Sequence, residues 1–139
     1  MFIIKGQPQG KERPRFRNVG KFVQTYTPKK TKDYEKHIKQ SYLEQNGEYW
    51  GELPIKVEIK AFYQIPVSWS KKRQNMAIFG DIRPTTKPDT DNIAKAVCDA
   101  LNGVAFADDK QVVELSISKW YDIEPRIELN IFEISCENS

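Results

Sequence analysis

The chain has 139 residues, 39% hydrophobic, 12% aromatic and 29% charged, which suits one compact domain with a real core and excludes collagenous, mucin-like and wholly disordered classes. Its first apolar run, Phe2-Ile3-Ile4, meets Lys5 at once, so neither a signal peptide nor a membrane span is expected. With only Cys98 and Cys136, and no CxxC or Cys/His cluster, neither a zinc site nor a disulfide framework is expected, and a reduced cytoplasm suits the chain best. The net charge of +3 is lopsided: residues 1–39 hold 11 Lys/Arg against 3 Asp/Glu, a net +8, and the other 100 residues hold 11 against 16, a net −5. A cationic first third beside an acidic remainder fits a protein that neutralises phosphates with one region and gathers carboxylates in another, or else a solvated lysine-rich surface.

Phe2 to Lys5 reads as a short strand. The stretch GQPQGKERPRFRN that follows has a Gly, Pro and polar content that predicts an exposed basic loop. Strand-like residues return at 21–26, so Gly20 and its neighbours close a hairpin whose tip carries Arg13, Arg15 and Arg17. Thr27 offers an N-cap with Pro28 at the first helical position. Tyr34, Ile38 and Tyr42 then recur every four residues until Gly47 stops an amphipathic helix with a basic outer face. Ile55, Val57, Ile59, Ala61 and Tyr63 alternate as a half-buried strand.

Residues 68–79 predict a short helix capped by Ser68 or Ser70 and stopped by Gly80, with Lys71, Lys72 and Arg73 exposed in its first turns, where cations oppose the helix dipole and hint at a phosphate partner. Residues 81–88, with two prolines, are expected to be irregular. In the stretch DTDNIAKAVCDALNG, the apolar stripe Ile93, Ala94, Val97, Ala100 and Leu101 predicts a helix capped by Asp89 or Thr90 and ended by Gly103. A turn over 106–109 leads to a strand in which Val113, Leu115 and Ile117 alternate towards Trp120. A second strand carries Ile127, Leu129 and Ile131, and the CENS end reads as a frayed tail.

Asp89 and Asp91 lie two apart where an extended segment meets a helix, Lys95 follows one turn on, and Asp108 and Asp109 come as the chain returns towards the sheet. These are hard oxygen ligands without histidine or thiolate, a set that favours Mg2+ or Mn2+ over zinc. A two-metal phosphodiester site needs carboxylates from separate elements and a lysine near the attacked phosphate. Each feature also has an ordinary structural reading: Asp89 as an N-cap, Asp91 and Lys95 as a helical ion pair, Asp108-Asp109 as a turn.

Taken together, Gly6-Gln7-Pro8, Lys11, Arg13-Pro14-Arg15, Lys87-Pro88-Asp89-Thr90-Asp91-Asn92 with Lys95, Asp99-Ala100-Leu101-Asn102-Gly103 and Asp108-Asp109-Lys110-Gln111-Val112 make the chain resemble the RusA family of Holliday junction resolvases over nearly its whole length. The resemblance implies the α/β class, with an α+β mixed sheet and two or three helices, in a single domain over 1–139. It further implies a Mg2+-dependent homodimer that cuts four-way DNA junctions by paired nicks. Carried over residue by residue, Asp89, Asp91 and Asp109 correspond to the acidic catalytic residues and metal ligands, with Asp108 the alternative third acid, and Lys95 to the essential lysine. Lys119 matches a lysine found after the acidic pair. Lys95 would stabilise charge growing on the phosphate or keep the carboxylates oriented. Lys11, Arg13, Arg15, Arg17, Lys29, Lys30, Lys71, Lys72, Arg73 and Lys119 are the expected DNA-binding residues, gripping the backbone. The alternatives are a non-catalytic dimeric branched-DNA-binding protein and a nuclease for flaps or other branched DNA.

Overall fold

A computed structural model describes residues 1–134. The element order is β1 (Phe2–Lys5), β2 (Arg15–Val19), β3 (Phe22–Tyr26), α1 (Lys29–Glu44), β4 (Ile55–Gln64), α2 (Lys71–Ile78), α3 (Thr90–Leu101), a 3-10 turn (Asp109–Gln111), β5 (Val112–Asp122) and β6 (Arg126–Glu133). The main sheet runs β1-β6-β4-β5. β4 pairs antiparallel with β6 and parallel with β5, and β1 closes the far side antiparallel to β6. Among the described residues the fold is a single α+β domain with three helices and a mixed sheet, and β2 and β3 form a separate two-stranded ribbon. Among the described residues, no helix is long and apolar enough to cross a membrane. The CENS tail, with Cys136, falls outside the described residues.

Period-two alternation in β4 turns Ile55, Val57, Ile59, Ala61 and Tyr63 to one buried face and leaves Lys56, Glu58, Lys60, Phe62 and Gln64 on the other. Against the buried face pack Tyr34, Ile38 and Tyr42 of α1 and the stripe Ile93, Ala94, Ala96, Val97, Ala100 and Leu101 of α3, which join Ile127, Leu129 and Phe106 in one core. Gln45 shields the outer edge of β1, accepting from the Ile3 N–H at 2.9 Å and donating to the Ile3 carbonyl at 2.7 Å. A free sheet edge is otherwise a template for unwanted pairing.

Several local expectations shift. Pro28, not Thr27, is the N-cap of α1: its ψ of 144° is extended, and its carbonyl accepts the first helical bond from Lys32 N–H at 3.1 Å. A residue before proline is itself pushed away from the helical region, which keeps Thr27 outside. At the other end Asn46 takes the positive φ of 59°. Gly47 serves a different need, since a Cβ there would collide with the Tyr42 ring.

The expected loop over 6–18 becomes strand at Arg15. Arg15 pairs with Tyr26 and Arg17 with Gln24, so both lie on the stem of the hairpin, Arg13 just precedes it, and Gly20, φ +62°, turns at the tip. Val113 and Leu115, which alternate with Ile117 in the sequence, are 56% and 50% exposed. Among the described residues β5 pairs with β4 alone, at the sheet's margin, and α3 covers it in part.

The core sets a clear stability expectation. Leu129→Ala, at a site with no exposure, should lower unfolding free energy by about 2–5 kcal/mol, and Val113→Ala at the open margin should stay within about 0.5–1 kcal/mol. Urea titration of both variants checks this, and equal losses would show that β5 is covered.

Candidate active site

The site is built on α3 and the turn before β5. Asp89 is the N-cap residue of α3, and its carbonyl accepts from Ile93 N–H at 3.1 Å, while its side chain makes no cap bond and stays exposed. Asp91, Lys95 and Asp99 follow at four-residue spacing and so share one helical face. The ion pair forms between Lys95 and Asp99, Nζ to Oδ1 at 3.4 Å, in place of the Asp91–Lys95 pair considered above.

Asp99 also accepts from Lys11, whose Nζ lies 3.1 Å from its Oδ2 and 2.6 Å from Glu35 Oε1. Lys11 is therefore held between α1 and α3 rather than offered outward as an expected phosphate contact. These carboxylates hold its ammonium pKa above the ordinary value although burial alone would lower it. The loop carrying Lys11 is pressed onto α3: a Cβ at Gly10 would sit 2.8 Å from Pro88 Cβ and 2.9 Å from Asn92 Cβ, and Lys11 N–H donates to the Asn92 carbonyl at 3.1 Å.

The two adjacent aspartates divide their tasks. Asp108 caps the 3-10 turn, its carboxylate accepting from Lys110 N–H at 3.1 Å while Gln111 Oε1 accepts from Asp108 N–H at 3.0 Å. Gln111 then donates to the carbonyls of Gly51 and Leu53 at 2.7 and 2.8 Å, fixing the turn to the body. Asp109 faces a cleft of about 300 Å³ that it shares with Asp91, Lys95, Cys98, Val112 and Leu115. The neighbouring Asp108 carboxylate, with desolvation and Asp99, holds the Asp109 carboxyl above the usual carboxylate range, and the Lys110 amide holds Asp108 below it.

Asp89 opens into an adjoining cleft of about 600 Å³ between the 7–12 loop, Lys30 and Lys87. The structure thus brings Asp91, Lys95 and Asp109 together and leaves Asp89 on the neighbouring side. Among the described residues, no three His, Cys, Asp or Glu side chains converge as a ready metal cage. Mg2+ is commonly held by one or two carboxylates completed by water and substrate phosphates, so the all-oxygen pair Asp91 and Asp109 fits that ion.

The remaining expected residues separate by environment. Lys119 is half-buried, its Nζ donating to the Thr86 carbonyl at 2.6 Å and lying 5.2 Å from the Tyr63 ring, and Tyr63 donates to the Pro88 carbonyl at 3.0 Å. Both hold the segment that leads into Asp89. Lys29 and Lys30 are exposed on the first turn of α1. Lys71, Lys72 and Arg73 are exposed on α2, whose Ser70 cap accepts from Arg73 N–H at 3.3 Å, and the Arg73 guanidinium lies 3.9 Å over Trp69. Arg13, Arg15 and Arg17 are exposed at the ribbon. Asp99 is a site residue that the sequence pattern alone does not single out. Its four-residue spacing from Lys95 was the available signal.

An acidic cleft with one lysine, on a mixed-sheet domain that carries a cationic ribbon, suits the processing of nucleic acid. The family comparison agrees in class: residues 5–132 match the model described as Endodeoxyribonuclease RusA, and the chain belongs to the RusA endodeoxyribonuclease family. It is similar to the Uncharacterized protein YqaN of Bacillus subtilis (strain 168), 41% identical over 136 residues that cover 96% of each chain.

Cys98, on the cleft wall, tests its packing. Burial pushes its thiol up to about 11, with Asp109 and Asp99 adding to the rise, so thiolate is scarce at pH 8, where an ordinary cysteine near 8.5 already reacts. Iodoacetamide should label the Cys98 peptide slowly in the native chain, with a rate that climbs towards pH 11, and quickly in urea. An inflection near 8.5 in the native chain, read by peptide mass spectrometry, would show an open site.

Proposed function

We propose that the chain is a structure-specific endodeoxyribonuclease that resolves four-way Holliday junctions by paired phosphodiester hydrolysis, as a Mg2+-dependent homodimer acting in DNA recombination and repair in the cytoplasm. The observation that carries this reading is the shared cleft of Asp91, Lys95 and Asp109 in a chain matched to the RusA family over 5–132. Asp91 and Asp109 would hold Mg2+ or Mn2+, with Asp89 at the margin. Bound there, the ion supplies Lewis-acid stabilisation of the attacked phosphate.

The chain's own groups do the rest. Lys95, steadied by Asp99, sets a positive charge where negative charge grows on the phosphate oxygens. Lys11, locked to Glu35 and Asp99, holds the loop against α3 and so fixes the floor on which Asp89 stands. Arg13, Arg15, Arg17, Lys29, Lys30, Lys71, Lys72 and Arg73, all exposed, grip the backbone without reading sequence. A junction has approximate two-fold symmetry and needs two cuts, which suits two copies with one cleft each.

Labelled four-way junctions incubated with Mg2+ and with EDTA test the reading: nicking in Mg2+ alone is expected, and binding without any cutting would make the chain a non-catalytic junction binder. Asp91→Asn and Asp109→Asn should each abolish nicking while junction binding persists or tightens, because a negative charge facing phosphate is gone. Wild-type cleavage by Asp91→Asn places the chemistry elsewhere. Lys95→Ala should lower turnover by about 10²–10³ with little change in affinity. Parallel losses in affinity and turnover would make Lys95 a grip residue.

Affinity should also fall by ~10³–10⁵ between 50 and 200 mM salt if about 6–10 phosphates are engaged, with a flatter slope in an Arg13/Arg15/Arg17 triple alanine variant. An unchanged slope would assign the phosphates to other cations.

A further inference from the structure

The β2–β3 ribbon is the part of the chain that folding does not explain. All ten of its residues are exposed, and among them are large apolar groups: Phe16 is 71% exposed, Phe22 77% and Val23 64%. A two-stranded hairpin by itself is marginal in water, and showing two phenylalanines to solvent opposes solubility unless something covers them. The register sorts the side chains. Arg15, Arg17, Gln24 and Tyr26 share one face, with Val19 and Phe22 towards the tip, and Phe16, Asn18, Val23 and Thr25 share the other.

Charge identifies the cover. Residues 13–26 contain Arg13, Arg15, Arg17 and Lys21 and no Asp or Glu, so the ribbon is complementary to a polyanion. Arg17 is already ordered, its Nε and a terminal nitrogen donating to Gln24 Oε1 at 3.1 and 3.0 Å with its guanidinium 5.4 Å from the Tyr26 ring. Arginine interleaved with exposed aromatic rings is the chemistry that holds unpaired bases, the rings stacking on base faces and the cations following the backbone. A two-stranded ribbon also matches the width of a duplex groove.

We propose that the β2–β3 ribbon enters DNA where the duplex opens, with Phe22 on one face and Phe16 on the other stacking on bases exposed at the branch point, and Arg13, Arg15 and Arg17 holding the adjoining phosphates. The proposal rests on the endonuclease reading and names the element that tells branched from linear DNA. No residue of the ribbon is buried, so its side chains can be changed without touching the core.

The experiment compares wild-type protein, Phe16→Ala/Phe22→Ala and Phe16→Tyr/Phe22→Tyr, binding in EDTA to a four-way junction with 2-aminopurine at the branch point and to a linear duplex of the same sequence. The wild type should change the 2-aminopurine fluorescence. The alanine pair should bind the junction about tenfold or more weakly, lose that signal and keep duplex affinity. The tyrosine pair should restore both, and circular dichroism should be alike for all three.

Wild-type junction affinity and signal in the alanine pair would overturn the proposal. So would an alanine pair that sediments as a monomer where wild type is a dimer, since the rings would then cover a second copy of the chain. A wild-type protein with no preference for the junction would remove the endonuclease-on-junction reading itself, a failure distinct from junction selectivity that survives loss of the two rings.

Discussion

The parallel pairing of β4 with β5 is the constraint from which the rest of the molecule follows. Two adjacent parallel strands cannot be joined by a tight turn, so the chain leaving Gln64 must cross back over the sheet before it can enter Val112. That crossover contains α2 and α3. The burial of Val57, Ile59 and Ala61 requires an apolar cover on one face, and the stripe of α3, beside α1, supplies it. Once α3 is seated by its apolar side, its opposite side has little freedom, and that is the side carrying Asp91, Lys95 and Asp99. The end of the crossover is pinned separately by the Asp108 cap and the Gln111 bonds to Gly51 and Leu53. Asp109 reaches the same cleft because both ends of one connection are anchored to the same body.

Within that frame, Asp99 links two cations of different origin. Lys11 comes from the N-terminal loop and Lys95 from α3, and one carboxylate meets both. The pair with Lys95, whose lysine is largely exposed, contributes about 1 kcal/mol or less to stability. The effect of the two pairs is positional: Lys95 is drawn along its helix and away from Asp91, and the loop is held where Gly10 alone fits against Pro88 and Asn92. The cationic excess of the first third is thereby divided, with Lys11 turned inward and the arginines left outside.

Much of this was legible in the residues. Strict alternation over 55–63 and the stripe over 90–101 mark elements whose burial is decided by many side chains at once, and both stand where the pattern places them. Errors fall where one or two residues decide. Thr27 and Pro28 differ by one position because backbone angles at a helix start depend on proline's effect on its neighbour. The strand character of Arg15 to Val19 was hidden by charge and by the prolines just before it, since pairing partners are invisible in a local window. Val113 and Leu115 alternate as well as any core strand, yet alternation cannot report that β5 stands at the margin of the sheet. The acids on α3 were legible as a group, but the separation of Asp89 from Asp91 into adjoining clefts, and the choice of Asp109 over Asp108 to face one of them, depend on a turn whose cap is set by tertiary contacts.

The detachment of the β2–β3 ribbon from the core also bears on how such a chain can change over generations. Because none of its ten residues belongs to the buried core, the ribbon can vary without removing a side chain from the packing of β4, α1 and α3. Asp91, Lys95 and Asp109, by contrast, stand on a helix and a turn that the core holds in place. A change in the outer arm therefore leaves the scaffold, and with it the positions of Asp91, Lys95 and Asp109, where the core sets them.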